Sequence, residues 1–380
     1  MKDSFDLNRR AMLGTMFAGL AAPASLLAQD AAPASAPAAE GSAPAADAPK
    51  LPPTGPIIGD PRVRGPFPIL STPFLENGEV DYEVLAKSAK FVDWAQCHGM
   101  IWPQAGDAVD LLTKEEKMKG MTVLAETMKG RKAALCLGVN GKNTADMLDY
   151  ARHAESLEPT AIISRPPDEG QTEDDLYEYW RELMKIVNRP VIIQTSGPGK
   201  SPSTKLLIQL GEESEYFGYV KEETAPFVPR MKELVAAKPK IKRVMSAWGG
   251  FTWLHNCRIG IEGLVTERAV YADLLGKMWR AYDSGDYMTA SDMYSKLVFM
   301  LNLKETIPCA ELRGFHLYCW QKRGVFQNRL SRNYGPNGSI PEKPIISEMK
   351  LSQDEMDELD MRLDYITPAF RDGILCPDLG

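Results

Sequence analysis

One lysine in this chain stands where a charge is hard to keep. Lys221 closes the run Tyr216-Phe217-Gly218-Tyr219-Val220-Lys221 and is followed at once by Glu222, Glu223 and Thr224. The run is short and apolar, as a buried strand is, so its last residue sits where strand gives way to loop. A lysine at the inner end of such a strand loses its hydration, and desolvation favours the neutral amine. A neutral amine is a nucleophile that condenses with a ketone to form an imine. The protonated imine withdraws electrons from the neighbouring carbon and stabilises a carbanion or enamine, the hard step of class I aldolase chemistry. A second reading of the same residues is a lysine solvated at the strand's end, or ion-paired with Glu222 or Glu223.

Other chemistries find less support. The four histidines, His98, His153, His255 and His316, lie far apart with no HExxH-type ligand spacing, so no metal site is expected. Six cysteines form no CxxC and no dense framework. They read as buried or free thiols, with Cys309 and Cys319 as one possible pair. With 44 Lys+Arg against 51 Asp+Glu the net charge is -7, which gives no general attraction to polyanions and makes nucleic acid an unlikely partner class. Downstream of residue 30 no run approaches the ~20 apolar residues of a membrane span. The chain has 380 residues, 44% of them hydrophobic, and a sizeable core is available to it. That length suits two domains, or one α/β barrel of ~250 residues with additions.

The elements that would position Lys221 follow from the alternation of short apolar runs with amphipathic ones. Strands are predicted at Pro66–Ser71, Met100–Pro103, Lys132–Val139, Thr160–Ser164, Pro190–Thr195, Tyr216–Lys221, Ile241–Ser246 and Gly260–Val265. Each is followed by a helical pattern. The helix of Thr113–Met128 opens on a capping box, Thr113 with Glu116. Continuous apolar strands separated by helices indicate a parallel sheet with right-handed crossovers. Eight such units in about 220 residues favour closure as a (β/α)8 TIM barrel over an open doubly wound sheet. The open sheet would want a Gly-rich phosphate loop after its first strand, and Ser71-Thr72-Pro73-Phe74-Leu75-Glu76-Asn77-Gly78 is not one. The barrel is assigned to residues 61–285. Residues 286–380 read as a helical C-terminal region around an irregular stretch, Asn333–Lys343.

From about Gly65 to Leu297 the chain resembles the dihydrodipicolinate synthase/N-acetylneuraminate lyase family. Leu70-Ser71-Thr72-Pro73-Phe74 with Asn77-Gly78-Glu79-Val80-Asp81 resembles its first strand and turn. Gly106-Asp107 before Leu111-Leu112-Thr113-Lys114-Glu115-Glu116 resembles its glycine–acid motif and next helix start. Leu137-Gly138-Val139-Asn140-Gly141 and Ala151-Arg152-His153-Ala154 resemble the third βα unit. Val220-Lys221-Glu222 stands where the family has its Schiff-base lysine, and Gly260-Ile261-Glu262-Gly263 resembles the eighth strand. The resemblance implies a TIM barrel, lyase chemistry on 2-keto acids through a covalent imine without further cofactor, and a homo-oligomer, dimer or tetramer.

Departures from the pattern fall at the strand ends, where a barrel builds its site. The family's Gly-Thr-Thr-Gly-Glu motif reads Pro103-Gln104-Ala105-Gly106-Asp107, without its hydroxyls. The tyrosine expected at the end of strand five aligns with Gln194, Pro-Tyr-Tyr after strand four reads Pro166-Pro167-Asp168, and the usual arginine after strand five is missing from Ser196-Gly197-Pro198-Gly199. Glutamine cannot exchange a proton as a phenol does. Asp168, Glu223 and ordered water are the candidates for a rebuilt relay, and Arg165 is the candidate carboxylate clamp or else a structural ion-pair partner. Thr72, Gln104, Ala105, Arg165, Asp168, Gln194, Glu223 and Thr266 are thus the expected pocket residues around a catalytic Lys221.

The N-terminus adds a compartment. Asn8-Arg9-Arg10-Ala11-Met12-Leu13 sets a twin arginine before a weakly apolar stretch, and residues 1–28 resemble a twin-arginine export signal. Residues 29–60, rich in Ala and Pro, read as a flexible tether. Export to the periplasm or beyond disfavours a biosynthetic dihydrodipicolinate synthase, which needs cytoplasmic intermediates. It favours a catabolic aldolase or dehydratase for a sugar-acid-like 2-keto compound. A non-catalytic binding protein on a degenerate aldolase barrel is the alternative.

Overall fold

Strands that are apolar end to end must be covered on both faces, and that requirement organises this molecule. The computed structural model describes residues 56–247, 250–305, 307 and 314–379, all within one unit, Asp47–Gly380. The expected signal, nearly all of the tether and Cys309 lie outside the described residues. Eight strands, β1 Gly65–Pro68, β2 Gly99–Trp102, β3 Ala134–Gly138, β4 Ala161–Ser164, β5 Val191–Gln194, β6 Tyr219–Lys221, β7 Arg243–Ser246 and β8 Gly263–Thr266, form one parallel sheet. Its order is β1-β8-β7-β6-β5-β4-β3-β2. A parallel bridge from Ile69 to Ile101 brings the two ends of the sheet together. The fold is a TIM barrel.

The helices α1 Tyr82–Trp94, α2 Lys114–Met128, α3 Thr144–Ser156, α4 Glu173–Met184, α5 Thr204–Glu213, α6 Phe227–Ala236, α7 Trp253–Arg258 and α8 Ala272–Asp283 alternate with the strands. Thr113 and Glu116 make the capping box of α2 in both directions. Side chains alternate across each strand. Phe67, Ile101, Cys136, Ile163, Ile192, Tyr219, Met245 and Val265 fill the interior, while their neighbours pack outward under the helices. Gly99 lets Phe67 cross the barrel, because a Cβ there would meet the Phe67 ring at 2.3 Å.

The N-terminal end of the barrel is plugged by the segment leading into β1. Val63 joins the interior core, and the Asp60 N–H donates to the Tyr219 hydroxyl at 2.7 Å. Arg243 points into the barrel floor, fully buried. It donates to Val63 O and Ile58 O and pairs with Glu262 at 2.9 Å. A buried guanidinium without such partners would cost several kcal/mol.

Past the barrel, α9 Tyr287–Leu301 buries Ala290, Met293 and Leu297, then α10 His316–Lys322 and α11 Gln353–Ile366 follow. The expectation of helices alone from 286 to 380 needs correction. Leu330–Asn333 (β9) and Ile345–Glu348 (β10) pair antiparallel. Each is four residues long, β9 with its two central residues buried and β10 with its two end residues exposed, so neither displays an alternating pattern. Arg332 docks this hairpin on the barrel, donating to Gly78 O at 2.7 Å and Leu111 O at 2.9 Å and pairing with Glu116 at 2.6 Å. Among the described residues no helix is long and apolar enough to cross a membrane.

Candidate active site

The residue two places beyond an interior side chain on the same strand also faces inward, one layer nearer the C-terminal mouth. Ile192 and Tyr219 are interior, and so Gln194 and Lys221, ladder partners on β5 and β6, face the mouth together. Lys221 is 4% exposed and Gln194 2%. The Lys221 Nζ donates to Gln194 Oε1 at 2.9 Å and lies 3.2 Å from Glu223 Oε2.

The alternation also sorts the two glutamates after the lysine. Glu222 turns outward and is fully buried, accepting from the Thr195 hydroxyl at 2.9 Å and the Thr224 N–H at 2.7 Å, with Arg230 of α6 at 3.0 Å. Thr195 Oγ1 also accepts the Glu223 N–H at 2.9 Å. This latch holds the chain extended through residue 223, whose side chain therefore returns to the lysine's face. Its Oε1 accepts from the Ser196 hydroxyl. Gln194 Nε2 donates to Ser196 O at 2.8 Å, which orients the amide with its oxygen on the amine.

The buried amine thus has a carboxylate neighbour, as the ion-pair reading of the sequence allowed. Burial and an adjacent carboxylate act in opposite senses on a lysine's proton. Here the partner is Glu223, and Glu222, its neighbour in sequence, is committed elsewhere.

The remaining expected residues lie around the same end of the barrel with other partners. Thr72 is buried, with its N–H and hydroxyl on the Asp107 carboxylate and its Oγ1 accepting from Trp102 Nε1 at 2.9 Å. Gln104 Oε1 accepts from the Ala105 N–H at 2.7 Å and Asn140 Nδ2 at 2.9 Å, while its buried Nε2 has no hydrogen-bond partner. Arg165, buried, pairs with Asp110. The Tyr334 phenol, carried by the residue after β9, lies beside this pair, and burial, followed by the Asp110 charge, pushes its pKa up to about 12. Thr266 is buried and donates to Glu267 at 3.4 Å. Asp168 is exposed, and its carbonyl accepts from Gln171 Nε2. Among the described residues the structure therefore brings Gln194 and Glu223 to Lys221 and places the others in hydrogen bonds and ion pairs elsewhere. Sequence reasoning missed Ser196, Thr195 and Asp107 as members of these networks. The period-two alternation after Gln194 was the signal available for Ser196.

Two surface grooves, of about 920 and 390 Å³, open at the opposite, N-terminal end. Among the charges lining them, Arg62 pairs with Asp60 and Arg131 with Asp93. The candidate site is the end holding Lys221.

Comparison with protein-family models matches residues 62–309 to the dihydrodipicolinate synthetase family. The 4-hydroxy-tetrahydrodipicolinate synthase of Chlorobium chlorochromatii is 23% identical over 302 residues, covering 78% of this chain and 96% of its own. The L-2-keto-3-deoxyarabonate dehydratase of Azospirillum brasilense is 22% identical over 250 residues, 64% of this chain and 80% of its own. Among solved structures, dihydrodipicolinate synthase from Aquifex aeolicus superposes with a TM-score of 0.66 at 21% identity, covering 81% of this chain and 99% of that one. The sialic acid aldolase of Ruminococcus gnavus gives 0.68 at 16% identity, with 81% and 98% covered. These structures share the fold.

Proposed function

The chain belongs to the dihydrodipicolinate synthetase family, a family of Schiff-base lyases, and from that premise we propose that Lys221 forms the imine, with a 2-keto acid as its substrate. The observation that carries the proposal is the buried amine at the C-terminal mouth, with the Gln194 amide accepting its hydrogen bond and the Glu223 carboxylate as its ion-pair partner. Attack on the ketone carbon joins Nζ to it and expels the carbonyl oxygen as water. The resulting iminium is an electron sink for cleavage or elimination at the adjacent carbon. Because Gln194 cannot titrate, the site differs from one run by a phenol at this position. The relatives' names span a synthase, a 2-keto-3-deoxy sugar-acid dehydratase and a sialic acid aldolase. A sugar-acid-like 2-keto compound suits both these names and the exported location that Arg9-Arg10 supports. We propose a homo-oligomer, as the resemblance implies.

Borohydride reduction in the presence of pyruvate or a 2-keto sugar acid, followed by peptide mass mapping, tests the assignment. A stable adduct on Lys221, absent from Lys221→Ala, is the expected outcome. No adduct on Lys221 with any such ligand would overturn it.

A further inference from the structure

We infer that Glu223 is the catalytic proton carrier of this site, taking the proton from the Lys221 ammonium and returning it to the substrate oxygen. The inference rests on the imine reading above and specifies how that site moves protons. Among the described residues the polar partners of the Lys221 amine are Gln194 and Glu223, and Gln194 has no titratable proton to exchange. Glu223 therefore is the group in contact with the reacting nitrogen that can accept one.

Its geometry fits the task. Glu223 Oε2 sits 3.2 Å from Nζ as its ion-pair partner, at the outer end of the range for direct proton transfer. The other oxygen is held by Ser196, whose hydroxyl also lies 3.4 Å from Gln194 Nε2, so the carboxylate is tied on the side away from the amine. The Thr195–Glu222–Arg230 latch fixes the backbone that carries it. At 14% side-chain exposure Glu223 is sheltered yet not sealed, whereas Glu222 is sealed, with Oε1 on Thr195 and Thr224 and Oε2 against Arg230.

The step balances without any further reactant. The Lys221 ammonium gives a proton to the Glu223 carboxylate. The freed amine attacks the ketone carbon, the N–C bond forms, and the carbonyl electron pair moves to oxygen, which takes the proton from the Glu223 carboxyl. The carbinolamine nitrogen then returns a proton to Glu223. Glu223 passes it to the hydroxyl, the C–O bond breaks with loss of water, and the iminium remains. The carboxylate left behind is placed to remove a proton from the carbon next to the iminium carbon, giving the enamine.

The test uses the full chain, wild type, Glu223→Gln and Glu223→Ala, with pyruvate as the probe in D2O. Exchange of the pyruvate methyl protons is followed by NMR. Borohydride trapping run in parallel counts the Lys221 imine, so that exchange is expressed per imine. Both variants are expected to trap imine, more slowly, while exchange per imine falls about 100-fold or more. Added formate is expected to restore exchange to Glu223→Ala in proportion to its concentration and to leave Glu223→Gln unchanged, which a purely structural ion pair would not produce. Wild-type exchange per imine in both variants, or a loss that formate does not repair, overturns the role of Glu223 while leaving the imine standing. Absence of the wild-type adduct overturns the imine reading itself.

Discussion

Lys221, Glu222 and Glu223 are three adjacent charged residues with three different fates, and the pleat of one strand end decides among them. The sequence placed the lysine at an inner strand end and named Glu223 among the groups for a rebuilt relay. It could not say which glutamate faces the amine, because the direction of a side chain depends on how far the extended backbone continues past the strand. Burial acts just as unevenly on other titratable groups. His98, just before β2 with its ring edge against Trp279, is pushed down to about 4 by burial first and then by the Arg280 charge. Between pH 6.5 and 4 the unfolded chain binds a proton at this imidazole that the folded chain refuses. Stability from His98 is therefore complete above pH 6.5 and is lost as pH falls toward 4, by on the order of 3 kcal/mol. Urea midpoints of wild type and His98→Gln should draw together over that window as the pH is lowered. Parallel curves would contradict the argument.

At the level of elements, the period of the apolar residues carried most of the information. All eight strands occur within three residues of their predicted starts, and α2 begins on the capping box legible as Thr113 and Glu116. Strand ends were the more legible: seven of the eight fall within one residue of their predicted positions, and β1 stops three residues early. One contact between elements matters for the site. Gly120 of α2 lies against Trp102 of β2, and a Cβ there would meet the indole at 2.2 Å. Trp102 is fully buried and its Nε1 bonds to Thr72, so the ring has nowhere to yield. Gly120→Ala should gain about 1 kcal/mol of helix propensity and still lose 1–3 kcal/mol or so net through overpacking. A thermal melt that shows it more stable than wild type would refute the contact's rigidity.

Across the whole molecule, one end of the barrel is closed by the chain's own residues 58–63 and the other carries the candidate site. The C-terminal hairpin spans the sequence to reach the loop at Gly78 and the start of α2, through Arg332. Compartment is a property of the full chain too. Replacing both Arg9 and Arg10 with Lys should retain the unprocessed protein in the cytoplasmic fraction, and unchanged export of that variant would remove the support for a twin-arginine route. By itself the sequence determined the barrel and the family and singled out Lys221 as the candidate nucleophile, because apolar periodicity and a run of ordered motifs are local records of burial and backbone. The hairpin, the pairing of Glu223 with Lys221 and the diversion of Thr72, Arg165 and Asp168 to other contacts were decided only by the tertiary structure. These depend on which side chains meet across a closed sheet, and no spacing along a chain encodes that meeting.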